Sequence, residues 1–269
     1  MITVTSLASG SSGNALLIKG DAGALLVDCG LPQRTIERQL RYVGMEPAGL
    51  TAILLTHEHG DHASSAGPMA RRWGLPVVCN GPTRRALGAQ LDGAQVIEWE
   101  VGGGGTIGAF HATTFAIPHD AAAPVGYLID AGACCVGVAV DLGSWDEHVV
   151  TSLRAADLLV VEANHDRERL LAAPYPWSIR HRIMSDRGHL DNVQAGALLA
   201  RIGDDGRTRD VWLAHLSEHA NSPEIAVRMV GATLRMAGVQ AMRLAALPRK
   251  QAQRWSSDMV MQQQALFDW

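Results

Sequence analysis

Three imidazoles and a carboxylate fall within six positions in residues 56–62, which read Thr-His-Glu-His-Gly-Asp-His. They follow the short apolar run 51–55, which predicts a buried strand. Alternation along that strand places His57 and His59 on one side, and we expect the following loop to turn Asp61 and His62 back toward them. Imidazole and carboxylate suit zinc, manganese or iron, and the lack of a nearby thiolate argues against a closed structural zinc site. The stretch therefore predicts a metal site for one or two ions, with a histidine-rich surface loop as the alternative.

A two-metal site needs more ligands than one loop supplies, and strand ends are where loops converge. Three further side chains meet this condition, each after a predicted strand: His119 after residues 113–117, Asp141 after 136–140 and His215 after 211–214. Any one alone would more often be structural, but together they predict the rest of the ligand set. The histidines without this position are interpreted as ordinary surface or core residues: His111, His148, His181 and His219.

His189 follows a glycine turn and precedes a predicted helix. An imidazole held there can act as an acid or as a charge stabiliser for a leaving oxygen, although a helix-capping role fits equally well. The segment before it is rich in arginine, and 21 of the 23 basic residues of the chain are arginines. We interpret Arg180, Arg182 and Arg187 as ligands for flanking phosphates, with a solvated surface as the alternative.

Composition sets limits on the fold and the cellular context. A chain of 269 residues with 47% hydrophobic content can form one large or two small domains without covalent staples. The four cysteines have no Cys-x-x-Cys spacing, so buried thiols in a reducing compartment are expected. With no leader-like N-terminus and no apolar run long enough to span a bilayer, a cytoplasmic location is the default expectation. The net charge of −4 gives by itself no electrostatic argument for nucleic acid binding.

Predicted strands and helices alternate along the chain, which indicates an α/β fold or a helix-covered sandwich. The glycine-rich residues 101–106 have predicted strands on both sides and are interpreted as a hairpin turn. Strand-rich and helix-rich segments recur in the two halves, as two sheets packed face to face with helices outside would require. We expect one domain over residues 1–248 and a C-terminal tail over residues 249–269.

Several phrases along the chain resemble the metallo-β-lactamase-fold hydrolases, whose first signature is His-x-His-x-Asp-His, and within them the WalJ/YycJ branch. The matching residues extend over most of the chain to about residue 223: 7–14, 26–30, 56–62, 118–121, 126–127, 162–166, 175–178, 188–192, 215–217 and 221–223. The resemblance implies a four-layer αββα sandwich with two divalent metal ions, zinc or manganese with iron possible, in a cleft at one edge of the sheets.

The resemblance also implies roles for individual residues. One metal would be bound by His57, His59 and His119, the other by Asp61, His62 and His215, with Asp141 bridging both and Asp28 supporting the site from outside. His189 matches a histidine that contacts the scissile phosphate in related RNA-processing enzymes. His189 is therefore an expected catalytic residue, together with the metal ligand Asp61. The implied activity is phosphodiester cleavage in nucleic acid, exonuclease-like on DNA, by a metal-bridging hydroxide.

Two other functions stay open from the sequence. The same dinuclear site could hydrolyse a small thioester or a small phosphodiester, or the domain could be a non-catalytic adaptor. The adaptor reading depends on the tail, where Gln263, Leu266 and Phe267 resemble the short peptides that dock on the bacterial sliding clamp. The alternative is that this tail packs on its own domain or on a second subunit. No membrane partner is expected.

Overall fold

The strands of the chain form two mixed sheets in the computed structural model, which describes residues 1–258. Within that range the first sheet contains β1 (Thr3–Ala8), β2 (Ala15–Gly20), β3 (Gly23–Val27), β4 (Ala52–Leu54), β5 (Val77–Cys79), β6 (Val96–Glu98) and β14 (Gln253–Ser256). The second contains β7 (Gly104–Ile107), β8 (Phe110–Ala116), β9 (Val125–Asp130), β10 (Cys135–Ala139), β11 (Leu158–Glu162), β12 (Arg209–Ala214) and β13 (Met242–Ala246).

The two sheets repeat one pattern of pairing. The first has the order β14-β1-β2-β3-β4-β5-β6, and it is antiparallel from β14 to β3 and parallel from β3 to β6. The second has the order β13-β12-β11-β10-β9-β8-β7, antiparallel from β7 to β10 and parallel from β10 to β13. The carboxyl ends of the parallel strands in one sheet therefore lie at a common edge, where loops can converge.

Helices cover the outer faces of both sheets. Within the described residues they are α1 (Gln33–Tyr42), α2 (Gly60–Ala63), α3 (Ala66–Trp73), α4 (Gly81–Leu87), α5 (Glu147–Leu153), α6 (Arg167–Ala172), α7 (Trp177–Ile183), α8 (Asn192–Ile202) and α9 (Pro223–Met236). The start of α8 is fixed by a capping box, in which Asp191 accepts from the backbone of Gln194 and the Gln194 side chain accepts from the backbone of Asp191. None of the described helices is long and apolar enough to cross a membrane.

Alternation along the central strands sorts their side chains into separate layers. In β3, Leu25 and Val27 point into the core between the sheets, whereas Leu26 packs in the outer cluster with α1 and α3. In β11, Val160 faces the other sheet and Leu159 packs in the outer cluster of the second sheet. A strand buried on both faces reads as a continuous apolar run, as these segments do. The expected four-layer αββα sandwich is confirmed.

The expectation of a hairpin at residues 101–106 is wrong. The segment leads from β6, which pairs with β5 in the first sheet, to β7, which pairs with β8 in the second. Gly104 already belongs to β7, and a Cβ atom there would lie 2.2 Å from the carbonyl oxygen of Ala112. Local turn chemistry does not reveal whether two successive strands share a sheet, so the crossing between sheets was not predicted.

The C-terminal segment differs from the expected tail. Residues 253–256 form β14, which pairs with β1 and places Trp255 opposite Val4. Trp255 is only 5% exposed and donates from Nε1 to Asp210 Oδ2 at 2.7 Å. A domain boundary at residue 248 would therefore separate this strand from the first sheet. The expectation placed the boundary there because the polar composition of residues 249–254 does not indicate an edge strand. The predicted clamp-binding residues Gln263, Leu266 and Phe267 lie outside the described residues.

Candidate metal centre

Three side chains of the site are aimed by an unusual backbone conformation. Asp28, Asp141 and His215 each follow the end of a strand, β3, β10 and β12, and each has a positive φ, of 61°, 55° and 55°. They are the non-glycine residues with positive φ in the described part of the chain. This left-handed conformation costs roughly 1–2 kcal/mol for most residues and is least costly for Asn, Asp and His. The fold thus maintains strained backbone at the three strand ends that turn side chains into the cleft.

Asp141 lies at the centre of the site and is buried. Its Oδ2 is 2.9 Å from His62 Nε2, 3.2 Å from His57 Nε2 and 3.7 Å from His119 Nε2. Its Oδ1 is 2.7 Å from His215 Nδ1. One carboxylate therefore touches imidazoles that come from distant parts of the sequence.

The seven residues proposed as ligands fall into two groups that share Asp141. Within each group, one potential ligand atom per residue lies within 4.8 Å of all the others: His57, His59, His119 and Asp141 form the first group, and Asp61, His62, Asp141 and His215 form the second. The two groups match the two ligand sets implied by the resemblance, and a third group, Asp141, Glu162, His189 and His215, meets the same distance condition.

Asp28 supports the site from outside these groups. Its Oδ2 accepts from His62 Nδ1 at 2.7 Å, so that Nε2 of the same ring faces Asp141. Its carboxylate also accepts from the backbone N–H of Thr56 at 2.9 Å and from the Thr56 hydroxyl at 3.0 Å. The Thr56 hydroxyl oxygen lies 3.0 Å from His57 Nδ1 and can accept from it, which leaves His57 Nε2 toward the site. Such hydrogen bonds fix the tautomer and the orientation of metal-binding histidines.

Buried polar atoms without hydrogen-bond partners test whether these residues fit a cation. Within the described chain, His57 Nε2, His215 Nε2 and Asp141 Oδ1 are buried and make no hydrogen bond of good geometry, although short contacts join His57 and His215 to Asp141. Each unpaired buried polar atom costs about 1–3 kcal/mol. All three atoms belong to the candidate ligand groups, and a divalent cation would bind them. The donor set is imidazole and carboxylate, so the residues fit zinc, manganese or iron.

The charge states of these groups also suit metal binding. Burial alone would raise the pKa of Asp141, but His215 and His62 lower it well below its ordinary value, so the carboxylate is ionised. Burial lowers the pKa of His119 to about 4, which keeps its imidazole neutral. Burial also opposes the charge of His62, yet Asp141 and Asp28 raise its pKa to about 10. A metal at this position would displace that proton.

Glu162 is a site residue that sequence analysis missed. It is fully buried at the end of β11, and its Oε1 accepts from His215 Nδ1 and His189 Nδ1, both at 2.8 Å. Its Oε2 accepts from the backbone of Leu142 at 2.7 Å. Burial would raise its pKa, but His189 and His215 lower it to about 2. The signal was available, because Glu162 closes a predicted strand just as Asp141 and His215 do.

The three arginines interpreted as phosphate ligands lie on or beside α7 and contact other protein groups. The Arg182 side chain is 55% exposed and pairs with Asp120, whose Oδ1 is 3.2 Å from His119 Nε2. Arg187 donates to the backbone carbonyl of His119 at 3.0 and 3.2 Å. Arg180 donates to the carbonyl of Leu171, away from the metal-binding groups. Arg182 and Arg187 are therefore coupled to a candidate ligand, and Arg180 is not.

Comparison with known proteins agrees with this geometry. Residues 8–143 match the family described as Metallo-beta-lactamase superfamily. The chain is 35% identical over 226 residues to the exodeoxyribonuclease WalJ of Streptococcus pneumoniae serotype 2, and this alignment covers 82% of this chain and 83% of that protein. It is also 35% identical over 235 residues to the exodeoxyribonuclease YycJ of Bacillus anthracis, covering 86% of this chain and 89% of that protein.

Solved structures share the fold at low identity. The metallo-beta-lactamase fold protein YhfI from Bacillus subtilis superposes with a TM-score of 0.71 at 18% identity, over 95% of this chain and 100% of that one. The short form of human tRNase Z gives a TM-score of 0.64 at 14% identity, over 93% and 98% of the two chains. The similarities to solved structures show the fold. The sequence similarity to WalJ and YycJ identifies the branch of the family. The chain belongs to the metallo-beta-lactamase superfamily, in the branch that contains WalJ and YycJ.

Proposed function

We propose that this protein is a dinuclear metal-dependent nuclease that hydrolyses phosphodiester bonds of DNA in the manner of an exonuclease. The observation that carries the proposal is the paired set of His and Asp ligands around the buried Asp141. Family membership and this set make the chain a metal-dependent hydrolase. Relatives that are 35% identical over most of both chains are named exodeoxyribonucleases, which supports DNA as the substrate.

The division of ligands into two groups supports a site for two divalent ions. His57, His59 and His119 would bind one ion, Asp61, His62 and His215 the other, and Asp141 both. Two ions bound there would act as Lewis acids on the phosphate oxygens and would lower the pKa of water enough to supply hydroxide at neutral pH. Asp61 lies at the entrance with its side chain 26% exposed, where it can orient the attacking water.

His189 is placed to act on the leaving group. Its Nδ1 donates to Glu162, so Nε2 is the ring nitrogen left for the substrate. Burial opposes its positive charge, but Glu162 and Asp141 raise the pKa of His189 above its ordinary value. The side chain is 18% exposed, whereas those of His57, His62 and Asp141 are almost fully buried. His189 can therefore hold a proton at the cleft and donate it to the departing oxygen.

The guanidinium group of Arg187 contacts the carbonyl of His119, and that of Arg182 pairs with Asp120 beside His119, so both can bind phosphates flanking the scissile bond. Planar guanidinium groups bind phosphate oxygens through paired hydrogen bonds. The contacts with Asp120 and with the His119 carbonyl use only some of the N–H donors of each group, so others remain for DNA. Arg180 would contribute mainly charge to the same surface.

The test is metal-dependent cleavage by purified protein. After removal of metal with a chelator, Zn²⁺ or Mn²⁺ should restore cleavage of 5′-labelled DNA. Parallel assays on single- and double-stranded DNA, RNA, bis(p-nitrophenyl) phosphate and a thioester separate a nuclease from a small-molecule hydrolase. Preferential turnover of the thioester, or no hydrolysis of any nucleic acid, would contradict the proposal.

Asp141→Ala should abolish cleavage, because it removes the carboxylate shared by both ligand groups. Asp92→Ala is the matched control, since Asp92 is an exposed aspartate near the edge of the first sheet. The control should retain full activity. An Asp141→Ala protein that is folded and turns over DNA as fast as the control would exclude this mechanism.

A further inference from the structure

The short helix α7 is exposed, yet it is tightly connected to the metal centre. None of its seven residues is buried. Its C-terminal turn lies directly on Gly188, where a Cβ atom would approach the carbonyl oxygen of Arg182 to 2.2 Å. The carbonyl oxygen of Gly188 accepts from His119 Nδ1 at 2.9 Å. The helix is therefore fixed relative to a candidate metal ligand.

Trp177 opens this helix and is 71% exposed. Its ring stacks on that of His181, with centroids 4.9 Å apart and planes 28° from parallel. Leu171 and Ile179 are exposed as well, and a group of exposed apolar side chains on and beside a helix fixed to a candidate metal ligand indicates a binding surface. The same helix carries Arg180 and Arg182. An aromatic face and cationic side chains thus lie within one and a half turns of helix.

We propose that Trp177 stacks on an unpaired nucleobase of the DNA substrate next to the cleaved phosphate. The inference rests on the proposed nuclease function and adds a reason why the enzyme would prefer unpaired DNA to duplex DNA. A nucleotide combines a flat apolar base with an anionic phosphate, which matches an indole beside guanidinium groups. Trp177 and Arg182 are separated by roughly 7.5 Å along the helix axis and by about 140° around it, so a strand that follows the exposed surface of α7 can contact both.

Stacking on Trp177 determines which substrates bind well. In a duplex the faces of each base are covered by its neighbours, whereas a single strand or a frayed end leaves them accessible. Stacking also uses a surface that all four bases share, so it does not discriminate by sequence. The surface therefore favours unpaired DNA ends without sequence preference.

A second copy of the chain is a less suitable partner for this surface. Leu171, Trp177 and Ile179 are exposed apolar residues that could form a contact, with exposures of 52%, 71% and 38%. A two-fold contact would, however, bring the same arginines of both copies together, because such an interface uses the same patch twice. A polyanion instead complements them.

The experiment compares Trp177→Ala, Trp177→Phe and the control Tyr42→Ala. Tyr42 is an 86% exposed aromatic residue at the end of α1, on the other sheet. The substrates are a single-stranded oligodeoxynucleotide, the same strand with one abasic site placed at successive positions from the cleaved end, and bis(p-nitrophenyl) phosphate. The last substrate has no nucleobase and reports on the metal chemistry alone.

Trp177→Ala should raise KM for the oligonucleotide about 5- to 150-fold, the range expected for loss of one stacked base. Trp177→Phe should retain most of the affinity, and turnover of bis(p-nitrophenyl) phosphate should be unchanged in both variants. In the wild type, an abasic site at one position should reproduce the loss. In Trp177→Ala the same abasic site should add little, because the stacking partner is already gone.

Two results would overturn the proposal while leaving the nuclease function intact. One is DNA cleavage by Trp177→Ala with the same KM as Tyr42→Ala. The other is an abasic effect of equal size in the wild type and in Trp177→Ala. A Trp177→Ala protein that changes sedimentation mass and not KM would assign the surface to a second copy. Failure of the proposed nuclease function would give a different result. The wild type would then hydrolyse bis(p-nitrophenyl) phosphate and leave every DNA intact, and both proposals would be wrong.

Discussion

Two histidines of the site share one buried anion. Both His189 and His215 donate from Nδ1 to the same oxygen of Glu162. The charge of Glu162 therefore sets the tautomer of a candidate ligand and of the proposed acid at once. A single carboxylate couples metal binding to protonation of the leaving group.

Changing Glu162 to Gln should weaken both functions while the side chain still fills its space. We expect metal affinity or kcat to fall about 10- to 100-fold, the usual effect of losing an outer hydrogen-bond partner of a metal ligand. Isothermal titration with Zn²⁺ and single-turnover cleavage measure the two effects. Glu100→Gln, at an exposed glutamate just after β6, is the control. Equal affinity and rate in the two variants would show that Glu162 has no positioning role.

His165 gives the folded protein a pH dependence away from the two ligand groups. Its side chain is buried, and burial lowers its pKa to about 4 from the ordinary 6.5. Because the unfolded chain binds the proton more readily, this contribution is complete above pH 6.5 and is lost as pH falls toward 4. Between neutral pH and pH 5, the free energy of unfolding should decrease by about 2 kcal/mol on account of His165.

Urea unfolding of the metal-free protein at pH 7.5 and pH 5 measures this effect. His165→Gln removes the titrating group and should show a decrease smaller by the same amount. The remaining histidines are common to both proteins, so the difference isolates His165. Parallel pH profiles would mean that His165 is protonated at a similar pH in the folded and unfolded states.

At the level of elements, two loops approach so closely that glycine is required between them. Gly143 follows the strand β10, and a Cβ atom there would lie 2.5 Å from the carbonyl oxygen of Asp186 and 2.5 Å from the backbone nitrogen of Gly188. This contact fixes the loop that carries His189 against the loop that carries Asp141. Both neighbouring atoms belong to the backbone, so they cannot rotate away.

Gly143→Ala should therefore separate the two loops, with a cost of about 1–3 kcal/mol in unfolding free energy. Cleavage should fall more steeply than stability, because His189 and Asp141 lose their relative position. Gly231→Ala is the control, since a Cβ atom there would lie 3.4 Å from the Arg235 side chain and 3.7 Å from Leu244. Comparable activity in both proteins would contradict a positioning role for this contact.

The arginines around α7 should contribute to the salt dependence of DNA binding. An Arg180→Ala/Arg182→Ala double variant should reduce the slope of log affinity against log salt by about 1.4 for single-stranded DNA, if each arginine binds one phosphate. Fluorescence anisotropy in a chelator measures binding without metal-dependent cleavage. The double variant Arg34→Ala/Arg38→Ala removes two exposed arginines from α1 and is the control. An unchanged slope would assign Arg180 and Arg182 to a solvated surface.

Some features of these elements could be predicted from the sequence and others could not. The cluster at residues 56–62 follows a strand directly, so its convergence is local, and the strand-end rule singled out His119, Asp141 and His215. Glu162 obeys the same rule and could have been found. What the sequence does not show is that β10, β11 and β12 are adjacent and parallel, which is why Glu162 reaches both His189 and His215. The positive φ of Asp28, Asp141 and His215 is likewise imposed by the assembled sheets. Nor did weak apolar patterns reveal β13 and β14.

At the level of the whole molecule, the C-terminal residues after the last described strand are a separate prediction. Gln263, Leu266 and Phe267 resemble a clamp-binding peptide, and this remains a prediction from the sequence. The full chain should capture the bacterial sliding clamp in a pull-down, and a chain lacking residues 263–269 should not. The shortened chain should retain cleavage of DNA. Equal capture by both chains, or by neither, would contradict clamp binding through these residues.

The pairing of β14 with β1 has a practical consequence for the molecule. The backbone N–H of Ser257 donates to the carbonyl oxygen of Ile2 at 2.9 Å, so the two ends of the described chain meet at one margin of the first sheet. A chain stopped at residue 248 would leave β1 with a row of open backbone donors and acceptors, which is a template for pairing with another molecule. Such a shortened protein would be prone to self-association even though every metal-binding side chain is still present.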